Sequence, residues 1–229
     1  MRLCPEMGAR TPIAARKLPF YTRGEEIFNF VSHVVGGGIA VVLLVLTIVR
    51  ASQRDAWAVV SGTVYGVSLI AVYTISSVYH GLRPERAKKV LQVLDHCMIY
   101  FLILGSYLPI LFCSIRPVSP VTAWVLFGVI LALTAVAVTF TAIDLHKYRV
   151  LSMICYVGLG WCIIFAAPVA RRAIPLPGQL WLLAGGVAYT VGAILYGVGR
   201  KVRYMHAVFH LFVILGSLLQ FICIYLWVL

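Results

Sequence analysis

Apolar residues run along this chain in seven long blocks, each broken by a short polar punctuation. The blocks cover about 27–49, 57–80, 90–113, 121–142, 149–168, 179–199 and 205–228. Each has about the 20 residues a helix needs to cross a bilayer. Arg83-Pro84-Glu85-Arg86 separates the second from the third. Arg116-Pro117 and Ser119-Pro120 separate the third from the fourth, and Pro175-Leu176-Pro177-Gly178 precedes the sixth. The pattern predicts an all-α protein, a seven-transmembrane helix bundle with antiparallel neighbours. Residues 1–23 read as an N-terminal tail without the apolar core of a signal peptide, and 24–229 as the membrane domain.

Composition agrees. Of 229 residues, 62% are apolar and 11% charged, against about 25% charged in soluble domains. The net charge of +12 sits in short loops, which points to topology and anionic lipid headgroups rather than to nucleic acid. Fourteen of the 19 Lys and Arg fall in the N-terminal tail and the loops after spans two, four and six. The other five are Arg50, Arg54, Arg116, Arg171 and Arg172. The positive-inside rule then predicts a cytoplasmic N-terminus and an outer C-terminus. The six cysteines (Cys4, Cys97, Cys113, Cys155, Cys162 and Cys223) include no CxxC and read as small buried hydrophobes rather than a disulfide framework.

Polar residues inside the spans are costly, so each is a functional candidate. On this topology they share one depth. Glu26, Asn29 and His33 follow one face of span one. Ser76 and His80 lie at the inner end of span two, i and i+4. Asp95 lies about six residues in from Lys89, roughly 9 Å at helical rise, and unpaired would cost about 2.5–3.5 kcal/mol. His206 and His210 open span seven on one helix face. His80, His206 and His210 make a three-imidazole set suited to zinc, with a fourth position left for water that a metal can acidify. Asp95 is placed to hold that water or take its proton, and Ser76 to orient a ligand or donate to a developing oxyanion. Glu26 or Asn29 can accept from the second nitrogen of a ligand histidine, and His33 supports the site from behind. Taken alone, His80 reads as an interhelical hydrogen-bond partner, and HxxxH lacks the adjacent Glu of HExxH. His96, about 100° round the helix from Asp95, reads as packing or interfacial. Gly36-Gly37-Gly38 and Gly185-Gly186 to Gly192 read as close-packing helix faces.

Glu26-x-x-Asn29-x-x-Ser32-His33, Ser76-Ser77-Val78-Tyr79-His80, Leu94-Asp95-His96 through Gly105-Ser106-Tyr107-x-Pro109, Gly185-Gly186-x-x-Tyr189-Thr190-x-Gly192 and His206-Ala207-Val208-Phe209-His210 together resemble the hemolysin III family. That family is the bacterial branch of the progestin and adipoQ receptor (PAQR) superfamily. The resemblance covers about residues 20–229, with no departure at the expected metal positions. It implies seven helices in a bacterial plasma membrane and an inside N-terminus. It also implies zinc on His80, His206 and His210, with Asp95 on the zinc water. Ceramidase-like hydrolysis of a lipid amide or ester is the activity it suggests, with membrane lipid as partner. A non-enzymatic regulator or receptor with structural zinc is the alternative. A pore or transporter fits less well, because ionisable groups do not continue into the outer half.

Overall fold

A computed structural model describes residues 11–199 and 202–229. Cys4, Arg2, Arg10, Arg200 and Lys201, which entered the charge and cysteine readings, lie outside the described residues. Among these, seven helices are long and apolar enough to cross a membrane. They are α1 Arg23–Ala51, α2 Ala56–Gly81, α3 Glu85–Val118, α4 Pro120–Ile143, α5 Arg149–Ala173, α6 Leu176–Val198 and α7 Met205–Val228. The described residues contain no strand.

Local chemistry fixes the ends. Thr22 caps α1 in a reciprocal box: the Glu25 N–H donates to the Thr22 hydroxyl, and the Thr22 N–H donates to Glu25 Oε2 at 2.8 Å. Asp55 caps α2 by accepting from the Ala58 N–H at 2.8 Å. Pro120 and Pro177 occupy first-turn positions, where a missing N–H costs nothing.

Two spans are irregular inside. Pro109 brings no N–H to α3, and the helix continues past it as π turns over Ile110–Ile115. α5 breaks at Trp161 into a 3-10 turn, Cys162–Ala166. The Tyr107 hydroxyl repairs that break, donating toward the Leu159 and Gly160 carbonyls at 3.0 and 2.9 Å and accepting from the Ile163 N–H at 3.0 Å.

α1 packs on α2, α2 on α3, α6 on α7, and α7 closes against α1. Large apolar side chains face outward, among them Val34, Val42, Val121 and Val125, as a lipid-facing surface requires. The interior carries polar links instead. Ser217 of α7 gathers three tyrosines: the Tyr73 and Tyr189 hydroxyls lie 2.8 and 2.7 Å from its Oγ, and the Tyr65 hydroxyl donates to its carbonyl at 3.2 Å. Of the expected glycine faces, Gly36 lies against Tyr73, Gly185 against Gln220 and Gly192 against Phe212, so a Cβ at each would crowd the neighbouring helix. Gly38 faces open space.

The tail is not detached where it is described. Arg16 is buried and donates to the Ile143 carbonyl at 2.9 Å. Lys89 Nζ reaches the Ala14 carbonyl at 2.9 Å, and His146 Nε2 donates to the Lys17 carbonyl at 2.7 Å. The Thr11 hydroxyl donates to Asp144. Residues 11–22 therefore lie as a strap across the end of the bundle where α1, α3 and α7 begin.

Candidate metal centre

At that end α2 finishes and α7 starts, and their histidines meet. His206 Nε2 lies 3.2 Å from His80 Nε2 and 3.1 Å from His210 Nε2. The three residues form a group whose ligand atoms all lie within 4.8 Å of one another. Tetrahedral coordination at about 2.0–2.1 Å puts ligand nitrogens roughly 3.3 Å apart, so the spacing fits. The donor chemistry fits as well, since converging imidazole lone pairs repel unless a proton or cation lies among them. His80 and His210 are buried, and His206 is half-buried. The group can hold a metal ion.

The rings are oriented from behind. His80 Nδ1–H donates to Glu26 Oε2 at 2.7 Å, which leaves Nε2 free to face the other imidazoles. Lys88 holds the other oxygen of Glu26 at 2.6 Å. Asn29 Nδ2 stands 3.5 Å from the same His80 nitrogen. The Ser32 hydroxyl lies 3.4 Å from His210 Nδ1. Of the two expected acceptors Glu26 is in place, whereas Asn29 turns its Nδ2, a donor, toward the ring and its Oδ1 has no partner. His33 is not part of the three-residue group; its ring stacks on His210. Ser76 is buried one turn from His80, and its hydroxyl has no hydrogen-bond partner. The chain entering α7 is shaped by Tyr204, the one positive-φ residue other than glycine among the described residues, whose N–H donates to Glu25 Oε1 at 2.8 Å. One carboxylate thus caps α1 and anchors the turn that presents His206.

Asp95 and His206 both line a partly open apolar cavity of about 390 Å³ walled mainly by α3, α5, α6 and α7. It follows α3 from Asp95 to Ile110, about 22 Å at helical rise. The α5 break at Trp161 forms part of its wall. Asp95 is not in the three-histidine group; one carboxylate oxygen lies 3.8 Å from His96 Nδ1.

Of three further ring residues at the site, Tyr21 carried no reading in the sequence, and His96 and Tyr196 were expected chiefly to pack. The Tyr21 ring stacks on His206 with centroids 5.1 Å apart and meets His80 edge-on at 5.7 Å. Burial, then the negative surroundings of Tyr196, Asp95, Glu26 and Glu25, raise its phenol far above the ordinary value, so it stays neutral. His96, expected to pack, lines the cavity and lies 3.2 Å from the Tyr196 hydroxyl. Its Nδ1–H donates to the Gln92 carbonyl at 2.8 Å, so Nε2 accepts from Tyr196.

Fold and site define a seven-helix membrane protein with a three-histidine group that can hold a metal ion where α2 ends and α7 begins. Residues 21–221 match the family described as Haemolysin-III related, and the chain belongs to it. It is 36% identical to Hemolysin-3 of Bacillus cereus over 206 residues, covering 90% of this chain and 92% of that one. It is 31% identical to the Hemolysin-3 homolog of Bacillus subtilis (strain 168) over 205 residues, 89% and 94% of the two chains. A more distant likeness, 25% over 178 residues and 75% and 71% of the chains, links it to the human Monocyte to macrophage differentiation factor and so to the wider PAQR superfamily. The protein is a multi-pass integral membrane protein, and its bacterial relatives point to the plasma membrane.

Proposed function

We propose that this protein is a zinc-dependent hydrolase acting inside the membrane on an amide or ester bond of a lipid. The observation that carries this reading is the convergence of three imidazole nitrogens, one of them on His206, which lines an apolar cavity together with Asp95. His80, His206 and His210 hold the ion, which when bound supplies Lewis acidity and lowers the pKa of water. The Asp95 carboxylate accepts a hydrogen bond from the attacking water, takes its proton as the carbonyl carbon is attacked, and passes it to the leaving nitrogen or oxygen. Ser76 offers its unpaired hydroxyl to a ligand or to the developing oxyanion. Glu26, Asn29 and His33 keep the ligand rings in place. The cavity takes the lipid's acyl chain and keeps bulk water from the bond being cut. With residues 1–23 as a cytoplasmic tail, the chemistry falls at the inner leaflet.

A second reading also has support. The three ligands come from α2 and α7, and Glu26 ties His80 to α1. An ion there would staple three spans, as a regulator or receptor with structural zinc would need.

Metal analysis of the purified protein, combined with hydrolysis assays on a ceramide-like amide and a lipid ester, tests the proposal. About one zinc per chain is expected. Turnover should stop on chelation and return with zinc. Asp95→Asn should keep zinc and lose turnover. A His206→Ala/His210→Ala variant that loses zinc with hydrolysis unchanged would overturn it. An Asp95→Asn protein with fold, zinc and physiological output intact favours the structural-metal reading.

A further inference from the structure

Beneath the strap lies a second cavity, of about 820 Å³. Its character is the reverse of the first. Lys17 of the strap, Arg149 at the start of α5 and Arg203 before α7 line it, with His146 beside them. Among the described residues the only carboxylate in its wall is Glu25. The Glu25 oxygens are engaged by the Thr22 hydroxyl and N–H and by the Tyr204 N–H. Lys17, Arg149 and Arg203 are solvent-exposed, and Arg203 acts on Glu25, so the chamber keeps a positive excess at its open side.

The two cavities share His96, Met153, Tyr156, Tyr196 and His206 as walls. The two cavities therefore adjoin, with His206 of the histidine centre in their common wall. A molecule filling both would be apolar over about 22 Å on one side of His206 and anionic on the other. From the geometry we infer that the lipid taken by this site carries a phosphate-bearing anionic headgroup, bound among Lys17, Arg149 and Arg203 while its acyl chain occupies the apolar cavity. This rests on reading the histidine centre as a lipid site. It narrows the lipid class: a neutral hydroxyl headgroup has no use for three cations, whereas guanidinium groups match phosphate oxygens in charge and planar geometry. The bond between head and chain then lies at the histidines, where the polarity changes.

The test is lipid retention by the full-length protein purified in neutral detergent, measured by native mass spectrometry, which needs no turnover. The probes are phosphatidylglycerol, phosphatidylcholine, a ceramide, and free glycerol phosphate. Arg149→Gln/Arg203→Gln is compared with Arg83→Gln/Arg86→Gln, a pair of exposed arginines outside the chamber. Phosphatidylglycerol should be retained about tenfold over ceramide, which lacks a phosphate to accept charge-assisted hydrogen bonds, and over phosphatidylcholine, whose quaternary ammonium would sit among the three cations. The chamber variant should lose that preference with its metal content intact, and the control variant should keep it. Equal losses in the two variants would mean a generally basic surface and overturn the inference. Equal retention of ceramide would do the same, as would glycerol phosphate binding as tightly as the lipid. Retention through Arg149 and Arg203 without turnover of any lipid sinks the hydrolase and leaves this inference standing. Ceramide turnover without charge preference does the opposite.

Discussion

The His33 ring lies face to face with His210, with centroids 3.6 Å apart and planes within 10°. Tyr73 closes the other approach edge-on at 5.2 Å. Both nitrogens of His33 are buried without a partner. His33 thus acts as a plate that fixes the plane of a ligand ring. His33→Phe should hold metal as the parent does and keep or raise the melting temperature in detergent, since it removes two unsatisfied groups worth about 1–3 kcal/mol each. His33→Ala should lower it. If His33→Phe lost metal as His210→Ala is expected to, His33 would be a ligand instead.

Glu26 orients His80 through Nδ1 at 2.7 Å. Glu26→Ala should weaken metal binding about 10- to 100-fold, the usual cost of removing such a partner. Competition with a chromophoric chelator measures this. Lys88 also contacts Glu26, so Lys88→Ala is the control. An equal loss in that variant would assign the effect to local charge rather than to ring orientation.

Tyr21 covers the histidines from the strap. Its aromatic contacts are worth about 0.5–1.5 kcal/mol each, so Tyr21→Ala should speed metal loss to a chelator roughly three- to tenfold. Tyr21→Phe keeps the ring and should match the parent. A Tyr21→Phe protein as leaky as Tyr21→Ala would show that the hydroxyl, not the ring, does the covering.

The strap has its own pH dependence through Asp144. Burial disfavours the charged carboxylate there. The Thr11 hydroxyl and the Lys147, Thr11 and His146 N–H groups outweigh it and hold the carboxyl below its ordinary 3.8. A depressed carboxyl contributes stability that is complete above the ordinary value and lost as pH falls through the folded one. Protection of the Thr11–Arg16 amides from hydrogen exchange should therefore be flat from about pH 5 to 8 and fall in stronger acid. Asp144→Asn should lower the plateau and flatten the acid response. An unchanged acid response in that variant would place the titrating group elsewhere.

Much of this was legible in the sequence because a bilayer imposes one rule on every span. About 20 apolar residues must run unbroken, and all seven blocks became helices. The centre was legible because helical spacing places His206 beside His210 and Ser76 beneath His80, whatever surrounds them. Depth then put Asp95 and Glu26 at the same end. The rest depends on contacts between distant segments. Nothing periodic marks Tyr21, which precedes the first helix. Its one signal was the Thr22-x-x-Glu25 capping box, which starts α1 at Arg23 and so leaves Tyr21 beside the first turn that carries Glu26. His96 was read as packing because it points away from Asp95. Both directions reach a cavity, since Asp95 and His96 line the apolar one and His96 lines the basic one as well. The α5 break was hidden because its repair comes from Tyr107, more than fifty residues upstream.

The order of the ligands along the chain has a consequence for how the protein is made. His80 emerges from the ribosome with the second span, while His206 and His210 emerge with the seventh. Until then His80 has Glu26 but no partner for its Nε2. The anchor of the Tyr204 turn, Glu25, likewise waits from the start of the first span for the last. The three-histidine group therefore forms only when the seventh span brings His206 and His210 to His80. A chain released before Met205 would carry one of the three imidazoles and lack the other two.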